Sequence, residues 1–107
     1  MEKQVYSYEE SFKESLHYFK GDELAARVWV NKYAVKDSFG NIYEKSPEDM
    51  HWRIANEVAR IEAKYANGLS AEELFNLLDH FKYIVPQGSP MTGIGNDYQV
   101  ASLSNCF

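Results

Sequence analysis

The residues best suited to chemistry lie in the C-terminal segment 85–107, which reads VPQGSPMTGIGNDYQVASLSNCF. This segment combines glycines, small hydroxyl and amide side chains, and the only cysteine of the chain, Cys106. Glycine lets a backbone approach a ligand closely, and free backbone amides beside a serine hydroxyl suit a phosphate oxygen. A thiol next to such a cradle indicates redox chemistry on a phosphorylated substrate, and chemistry of this kind needs partner groups.

Spacing alone makes this a weak signal. The run GSPMTGIGN contains neither the GxGxxG fingerprint of dinucleotide-binding folds nor the GxxxxGK[ST] pattern of a P-loop, so an ordinary surface loop explains it equally well. A buried, unreactive role is likewise the usual one for a free cysteine. The three histidines, His17, His51 and His80, have no second His or Cys three or four residues away, and the sequence therefore predicts no metal site.

Composition limits the class of protein. A chain of 107 residues suffices for one domain, and 45% hydrophobic with 25% charged residues is ordinary globular usage. The net charge of -5 argues against binding to a nucleic-acid backbone, which needs clustered Lys and Arg. The N-terminal residues carry charges every few positions, so they form neither a signal peptide nor a membrane span. A single cysteine fits a reducing compartment, and we expect a cytoplasmic protein.

Capping signals and apolar spacing predict four helices that position the C-terminal segment. The first covers about residues 8 to 19 and the fourth about residues 71 to 82, each opened by a capping box, Ser7 with Glu10 and Ser70 with Glu73. The apolar residues of the first helix are Tyr8, Phe12, Leu16 and Phe19.

The second helix is capped by Asp22 and is so apolar that we expect it to be the most buried. Its apolar residues are Leu24, Ala25, Val28, Trp29, Tyr33 and Ala34. A turn at 37–41, in which Gly40 takes a positive φ, then reverses the chain.

The third helix has the clearest start, because Ser46 can cap it and Pro47 fits its first position. Asn67 and Gly68 close it. Its core stripe consists of Met50, Ile54, Val58, Ile61 and Tyr65. We interpret His51 as a surface histidine of this helix and Trp52 as a packed tryptophan.

The fold class is therefore all-α, with a small four-helix domain at 1–84. Pro86 prevents the fourth helix from continuing, and a glycine-rich loop follows. Residues 99–107, with Val100, Ser102 and Leu103, form one short strand. Residues 85–107 do not make an independent domain.

Four stretches together resemble the N-terminal part of the ribonucleotide reductase catalytic subunit, most closely the class II, adenosylcobalamin-dependent type, with class I as the alternative. They are YFKGDELAARVWVNKY at 18–33, DSFGNIYEKSPEDMHWRIANEVARIE at 37–62, FKYIVPQGSPMTGIGN at 81–96 and SLSNCF at 102–107. In that family a helical domain leads into a ten-stranded α/β barrel. The resemblance implies that the short strand begins this barrel and that the chain covers only the opening of a longer enzyme.

The resemblance also implies roles for three residues. SPM at 89–91 matches the family's motif at the substrate diphosphate, which makes Ser89 a substrate contact. Cys106 matches one of two cysteines that reduce the ribose and become a disulfide, and Asn105 matches a neighbouring substrate contact. The second redox cysteine, the radical-carrying cysteine and the cobalamin surface match nothing in this chain, so the chain alone is expected to be inactive.

The implied partners are a ribonucleotide substrate, the remainder of the barrel and a thioredoxin-type reductant, with adenosylcobalamin as the cofactor of the full enzyme. An unpaired C-terminal strand also predicts self-association. Two alternatives remain at the level of sequence. The complete four-helix pattern suits a free-standing protein-interaction module, and the glycine-rich run with Ser89 suits a small nucleotide-binding regulator.

Overall fold

The computed structural model describes residues 4–86 and 88–98. Within these ranges the chain forms five α-helices and a 3-10 turn, and no strand beyond isolated bridges of Ile42 to Tyr6 and to Lys36. The helices are α1 Tyr8–Tyr18, α2 Glu23–Lys32, α3 Pro47–Glu62, α4 Ala71–Leu78 and α5 Gly88–Gly93, with the 3-10 turn at Asp79–Phe81. The all-α prediction is confirmed for this part, while the predicted strand at 99–107 lies outside the described residues.

Three of the four predicted helix starts have their capping hydrogen bonds. Both capping boxes are complete, and the Asp22 carboxylate accepts from the amide of Ala25. At the fourth, Ser46 is the N-cap residue as predicted, but its side chain makes no cap hydrogen bond. At that terminus Pro47 occupies the first turn, and the Asp49 carboxylate accepts from the amide of Lys45 instead.

Helix α3 lies at the centre of the packing and contacts α1, α4 and α5, while α1 also packs against α2. Its N-terminal half supplies three buried core residues, and α2 and α4 supply most of the others. The buried core consists of Trp29, Val30, Ala34, Ile42, Met50, Ile54, Ala55, Leu74, Leu78 and Met91. The presence of Met91 in this group joins the C-terminal segment to the helical core.

The buried face of α1 differs from the predicted apolar face. Ser11 and Ser15 are fully buried, whereas Tyr8 is 43% exposed. The hydroxyl of Ser11 donates to the carbonyl of Glu44 at 3.0 Å, and that of Ser15 donates to the carbonyl of Lys45 at 3.3 Å. The segment entering α3 thus runs directly against α1, where small side chains fit and buried carbonyls need donors.

The outer parts of two predicted apolar faces are open to solvent. On α2, Leu24 is 69% exposed, so the helix is less buried than expected. Helix α3 ends at Glu62, before Tyr65, which is 65% exposed. The chain folds back at this point, since the Glu62 carboxylate accepts from the amide of Leu69 and a Cβ on Gly68 would lie 2.1 Å from the Glu62 carbonyl oxygen.

The predicted turn at 37–41 is confirmed. The Asp37 carboxylate accepts from the amides of Phe39 and Asn41, the side chain of Asn41 and the hydroxyl of Tyr43. These hydrogen bonds lower the pKa of Asp37 to about 2, and the bond from the Asn41 side chain contributes most. Gly40 has φ +86°, the left-handed conformation expected for it.

Two C-terminal boundaries differ from the predicted ones. Helix α4 ends at Leu78 instead of about residue 82, and His80 and Phe81 both take φ +55°. Residues 88–93 form a helix where a loop was predicted. Both departures follow from tertiary contacts described below. None of the helices in the described ranges is long and apolar enough to span a bilayer.

Candidate functional site

The segment 88–98 packs on α3 and does not hang free as a surface loop. Met91 is 8% exposed, and Ile94 packs against the core. The Tyr98 ring stacks on Tyr43 with centroids 4.1 Å apart. Pro90 lies in the first turn of α5, where its missing N–H is no loss, and its carbonyl accepts from the amide of Ile94 at 3.1 Å.

The side chain of Arg53 holds this segment against α3. Its Nε donates to Glu44 Oε2 at 2.9 Å, and its two terminal nitrogens donate to the backbone carbonyls of Met91 and Ile94. The Arg53 side chain is only 11% exposed. One guanidinium therefore joins a buried carboxylate to the end of α5.

The carboxylate of Glu44 is itself fixed from two directions. Its side chain is 7% exposed, and its second oxygen accepts from the amide of Val35 at 3.0 Å. Burial raises the pKa of Glu44, while the charge and hydrogen bond of Arg53 act in the opposite direction. The pair balances the buried negative charge of Glu44 with the mostly buried positive charge of Arg53.

Gly95 permits the close approach of the segment to α3. Its φ is +72°, and a Cβ at this position would lie 3.0 Å from Arg53 Cγ and 3.2 Å from the Arg53 carbonyl oxygen. Both the conformation and the space select glycine. The glycine-rich run thus uses at least one of its glycines to pack on the domain.

A second polar cluster lies around His51, which is fully buried. The prediction of a surface histidine was therefore wrong. Its Nδ1 lies 3.4 Å from the Tyr18 hydroxyl and 3.8 Å from Asp79 Oδ1, and its ring meets the edge of Phe81 at 4.8 Å between centroids. Its Nε2 has no hydrogen-bond partner among the described residues. Burial lowers the pKa of His51 to about 4, against the opposing charge of Asp79.

Tyr18 is the centre of that cluster and explains why α4 stops early. Its hydroxyl donates to Asp79 Oδ1 at 3.0 Å and accepts from the amide of His80 at 2.6 Å, while the His80 ring stacks on Tyr18 at 4.4 Å. Burial, followed by the hydrogen bond to Asp79, raises the pKa of Tyr18 well above its usual value. The His80 amide bonds to Tyr18 and takes no part in extending α4.

A cavity of about 530 Å³ opens beside Arg53 and the turn at Gly95. Trp52 lines it and stacks on Phe75 at 4.0 Å between centroids, which agrees with the prediction of a packed tryptophan. Across the described ranges no three His, Cys, Asp or Glu side chains come together in an arrangement that could hold a metal ion.

The three predicted site residues have different outcomes. Ser89 lies in the first turn of α5. Asn105 and Cys106 lie outside the described residues, so their roles stay predictions. Sequence reasoning missed Glu44 and Arg53. The available signal was the position of Arg53 three residues after the core residue Met50, which puts the two on neighbouring faces of α3.

Comparison with known families gives the decisive observation. A family model described as "Ribonucleotide reductase, all-alpha domain" matches residues 19–93, well over half of the chain. The chain belongs to this family. Ribonucleotide reductases are oxidoreductases of deoxyribonucleotide biosynthesis, and the all-alpha domain is a part of them. No curated protein and no solved structure matched the chain.

The match to the reductase domain includes Glu44, Arg53 and Ser89 and ends within α5, at its last residue. The resemblance drawn from the sequence is therefore confirmed at the level of the ribonucleotide reductase all-alpha domain. The match does not distinguish class II from other classes, and it does not include the residues after Gly93.

Proposed function

We propose that this chain is the N-terminal part of a ribonucleoside-diphosphate reductase, which makes deoxyribonucleotides for DNA synthesis. The observation that supports the proposal most is the family match, which runs through α5 and so includes Ser89 in its sequence context. Arg53 fixes the backbone of the same segment on α3, as a segment that contacts substrate requires. In this proposal Ser89 binds the substrate diphosphate and Asn105 contacts the substrate nearby.

The proposed reaction replaces the 2′-hydroxyl of the ribose by hydrogen, after a cysteine thiyl radical has activated the substrate. The hydroxyl leaves as water, and two thiols supply two electrons and become a disulfide. Cys106 is one of these thiols, and its partner must come within about 7 Å between Cα atoms. A thioredoxin-type dithiol then reduces the disulfide. The chain holds one cysteine, so it needs the remainder of the reductase barrel and is inactive alone.

Class II remains the proposed branch, on the resemblance alone. Cavities at several places in the described residues have volumes of about 230 to about 550 Å³, which is small for a corrin ring carrying a nucleotide loop. These cavities do not fit adenosylcobalamin, and in this proposal residues elsewhere in the enzyme would hold it to supply the initiating radical. The reductase is proposed to work in the cytoplasm, where such dithiol reductants keep thiols reduced.

Replacement of Cys106 by serine in the full-length enzyme tests the proposal. We expect Cys106→Ser to abolish multiple turnover with a thioredoxin-type reductant, because the disulfide can no longer form, while the substrate Kd stays within about twofold. Phe39→Ser is the matched control, since it introduces the same residue at a position that is 92% exposed. Sustained turnover by Cys106→Ser would refute the assigned role.

A further inference from the structure

We propose that Arg53, oriented by Glu44, is the positioning residue for the substrate segment of this reductase domain. Its guanidinium sets the backbone of residues 88–96 and thereby the place of Ser89. The expected effect on substrate binding rests on the proposed function. The positioning of the segment rests on the contacts of Arg53 alone.

The end of α5 shows why the segment needs such a residue. A helix of six residues is too short to persist in water by its own hydrogen bonds. The last carbonyls of any helix also lack partners within it. Arg53 donates to the carbonyl of Met91 in the last turn and to that of Ile94 directly after the helix, which puts a positive charge at the negative end of the helix.

The orientation of the guanidinium depends on Glu44. The carboxylate accepts from Arg53 Nε on one oxygen and from the amide of Val35 on the other, so helix α3 and the connection that follows α2 share it. The backbone carbonyl of the same residue accepts from the buried hydroxyl of Ser11. A connected path of hydrogen bonds therefore runs from α1 through Glu44 and Arg53 to α5.

Lysine cannot take the place of Arg53 in this arrangement. The guanidinium is planar and presents donors in several fixed directions, and three of its nitrogens are used here. An ammonium group keeps the charge and provides no planar fork. Arg53→Lys thus separates positioning from charge, which makes it the informative variant.

Hydrogen exchange on the 107-residue chain tests the structural part. In Arg53→Lys we expect the amides of Ile94 and Asn96, which bond to Pro90 and Gly93, to exchange at least about tenfold faster, with core amides of α3 unchanged. Arg60→Lys is the matched control. Arg60 lies two turns along the same helix, pairs with Glu57 and is 63% exposed. Equal protection of residues 94 and 96 in Arg53→Lys and the unsubstituted chain would overturn the inference.

A second pair of variants tests the positioning without changing Arg53 or Glu44. Gly95→Ala puts a methyl group against Arg53, whereas Gly40→Ala places one at a comparable positive φ with nothing within 4 Å. Both are strained in backbone conformation, and only the first separates the segment from α3. We expect faster exchange at residues 94 and 96 in Gly95→Ala alone. The same exchange pattern in both variants would count against the close contact as the positioning feature.

Steady-state kinetics on the full-length reductase test the consequence for substrate. We expect Arg53→Lys to raise KM about tenfold with kcat within about twofold, because misplacement of a phosphate-binding segment weakens substrate binding first. Arg60→Lys should keep both constants. A fall in kcat at unchanged KM would overturn the inference.

Ser89→Ala distinguishes a failure of the inference from a failure of the proposed function. An unchanged KM in Ser89→Ala, with faster exchange in Arg53→Lys, would remove the substrate role and leave the positioning of α5 intact. A raised KM in Ser89→Ala, with normal exchange and normal KM in Arg53→Lys, would remove the positioning role alone.

Discussion

Arg53 and His51 lie two residues apart on α3, and their side chains leave the helix about 200° apart, on nearly opposite sides. His51 is fully buried and the Arg53 side chain is 11% exposed, yet the two polar groups meet the cost of burial differently. Arg53 stays charged and uses three nitrogens on one carboxylate and two carbonyls. His51 is neutral near pH 7, since burial lowers its pKa to about 4, and its Nε2 has no partner in the described part of the chain.

The contrast shows how the environment of a buried group decides whether it keeps its charge. A buried charge persists where an opposite charge and further acceptors meet it in good geometry, and otherwise the group gives up its charge. Each cluster also shapes an irregular piece of backbone. Arg53 binds the end of α5, while Tyr18 and Asp79, beside His51, hold the left-handed turn at His80.

The largest expected effect comes from removing the charge of Arg53. Arg53→Met leaves the Glu44 carboxylate buried without its counter-charge, which should lower the free energy of unfolding by about 3–5 kcal/mol at pH 7. Urea titration measures the loss. Arg60→Met is the control, and we expect a change within about 0.5 kcal/mol there because its ion pair is exposed.

The double variant sharpens this result. Glu44→Gln keeps an oxygen for the Val35 amide and removes the charge, so Arg53→Met combined with Glu44→Gln should be more stable than Arg53→Met alone. Strictly additive losses would mean that uncompensated charge is not the cause.

The neutral residue of the two, His51, makes the stability of the fold depend on pH. The pKa of His51 is about 4 in the folded state and 6.5 ordinarily, so the unfolded chain binds more protons between these values. Stability therefore falls as pH falls through this window, and His51 contributes a loss of about 2 kcal/mol between pH 7 and pH 5.

Denaturant titrations at several pH values on His51→Asn test this contribution. Asparagine keeps a polar side chain beside the Tyr18 hydroxyl and does not titrate, so the stability of this variant should decline less between pH 7 and pH 5. His17→Asn, at an exposed position on α1, is the control. Charges near His51 from Asp79, His80 and Arg53 remain in both variants, and their effects cancel in the comparison. Parallel curves for His51→Asn and the unsubstituted chain would contradict the prediction.

The smallest effect concerns the support of Glu44 by α1. Ser11→Ala removes a buried hydroxyl that donates to the Glu44 carbonyl, and we expect a loss of about 1 kcal/mol. Ser38→Ala, at an exposed position, should change stability by less than about 0.5 kcal/mol. The pH dependence assigned to His51 should be the same in Ser11→Ala. A change in that dependence would show that the two clusters are coupled through the core.

Predictions from sequence succeeded where the deciding interactions are local. The capping boxes at Ser7 and Ser70 join residues three apart, and the turn at Asp37 joins residues two to six apart. They failed where an apolar face has no cover, as at Leu24, and where small polar residues meet a crossing segment, as at Ser11. Periodicity shows which face of a helix is apolar, whereas burial depends on what packs against it.

The sequence by itself determined the all-α character, most helix starts, the reversal at Gly40 and the resemblance to the reductase family. The tertiary structure decided where α4 ends, why residues 88–93 are helical, and which of the two polar residues on α3 keeps its charge. Those outcomes depend on contacts between positions far apart in the chain: Tyr18 with Asp79 at a separation of 61 residues, and Arg53 with Met91 and Ile94 at 38 and 41. Only packing of the helices brings such groups together, so no local pattern could reveal their partners.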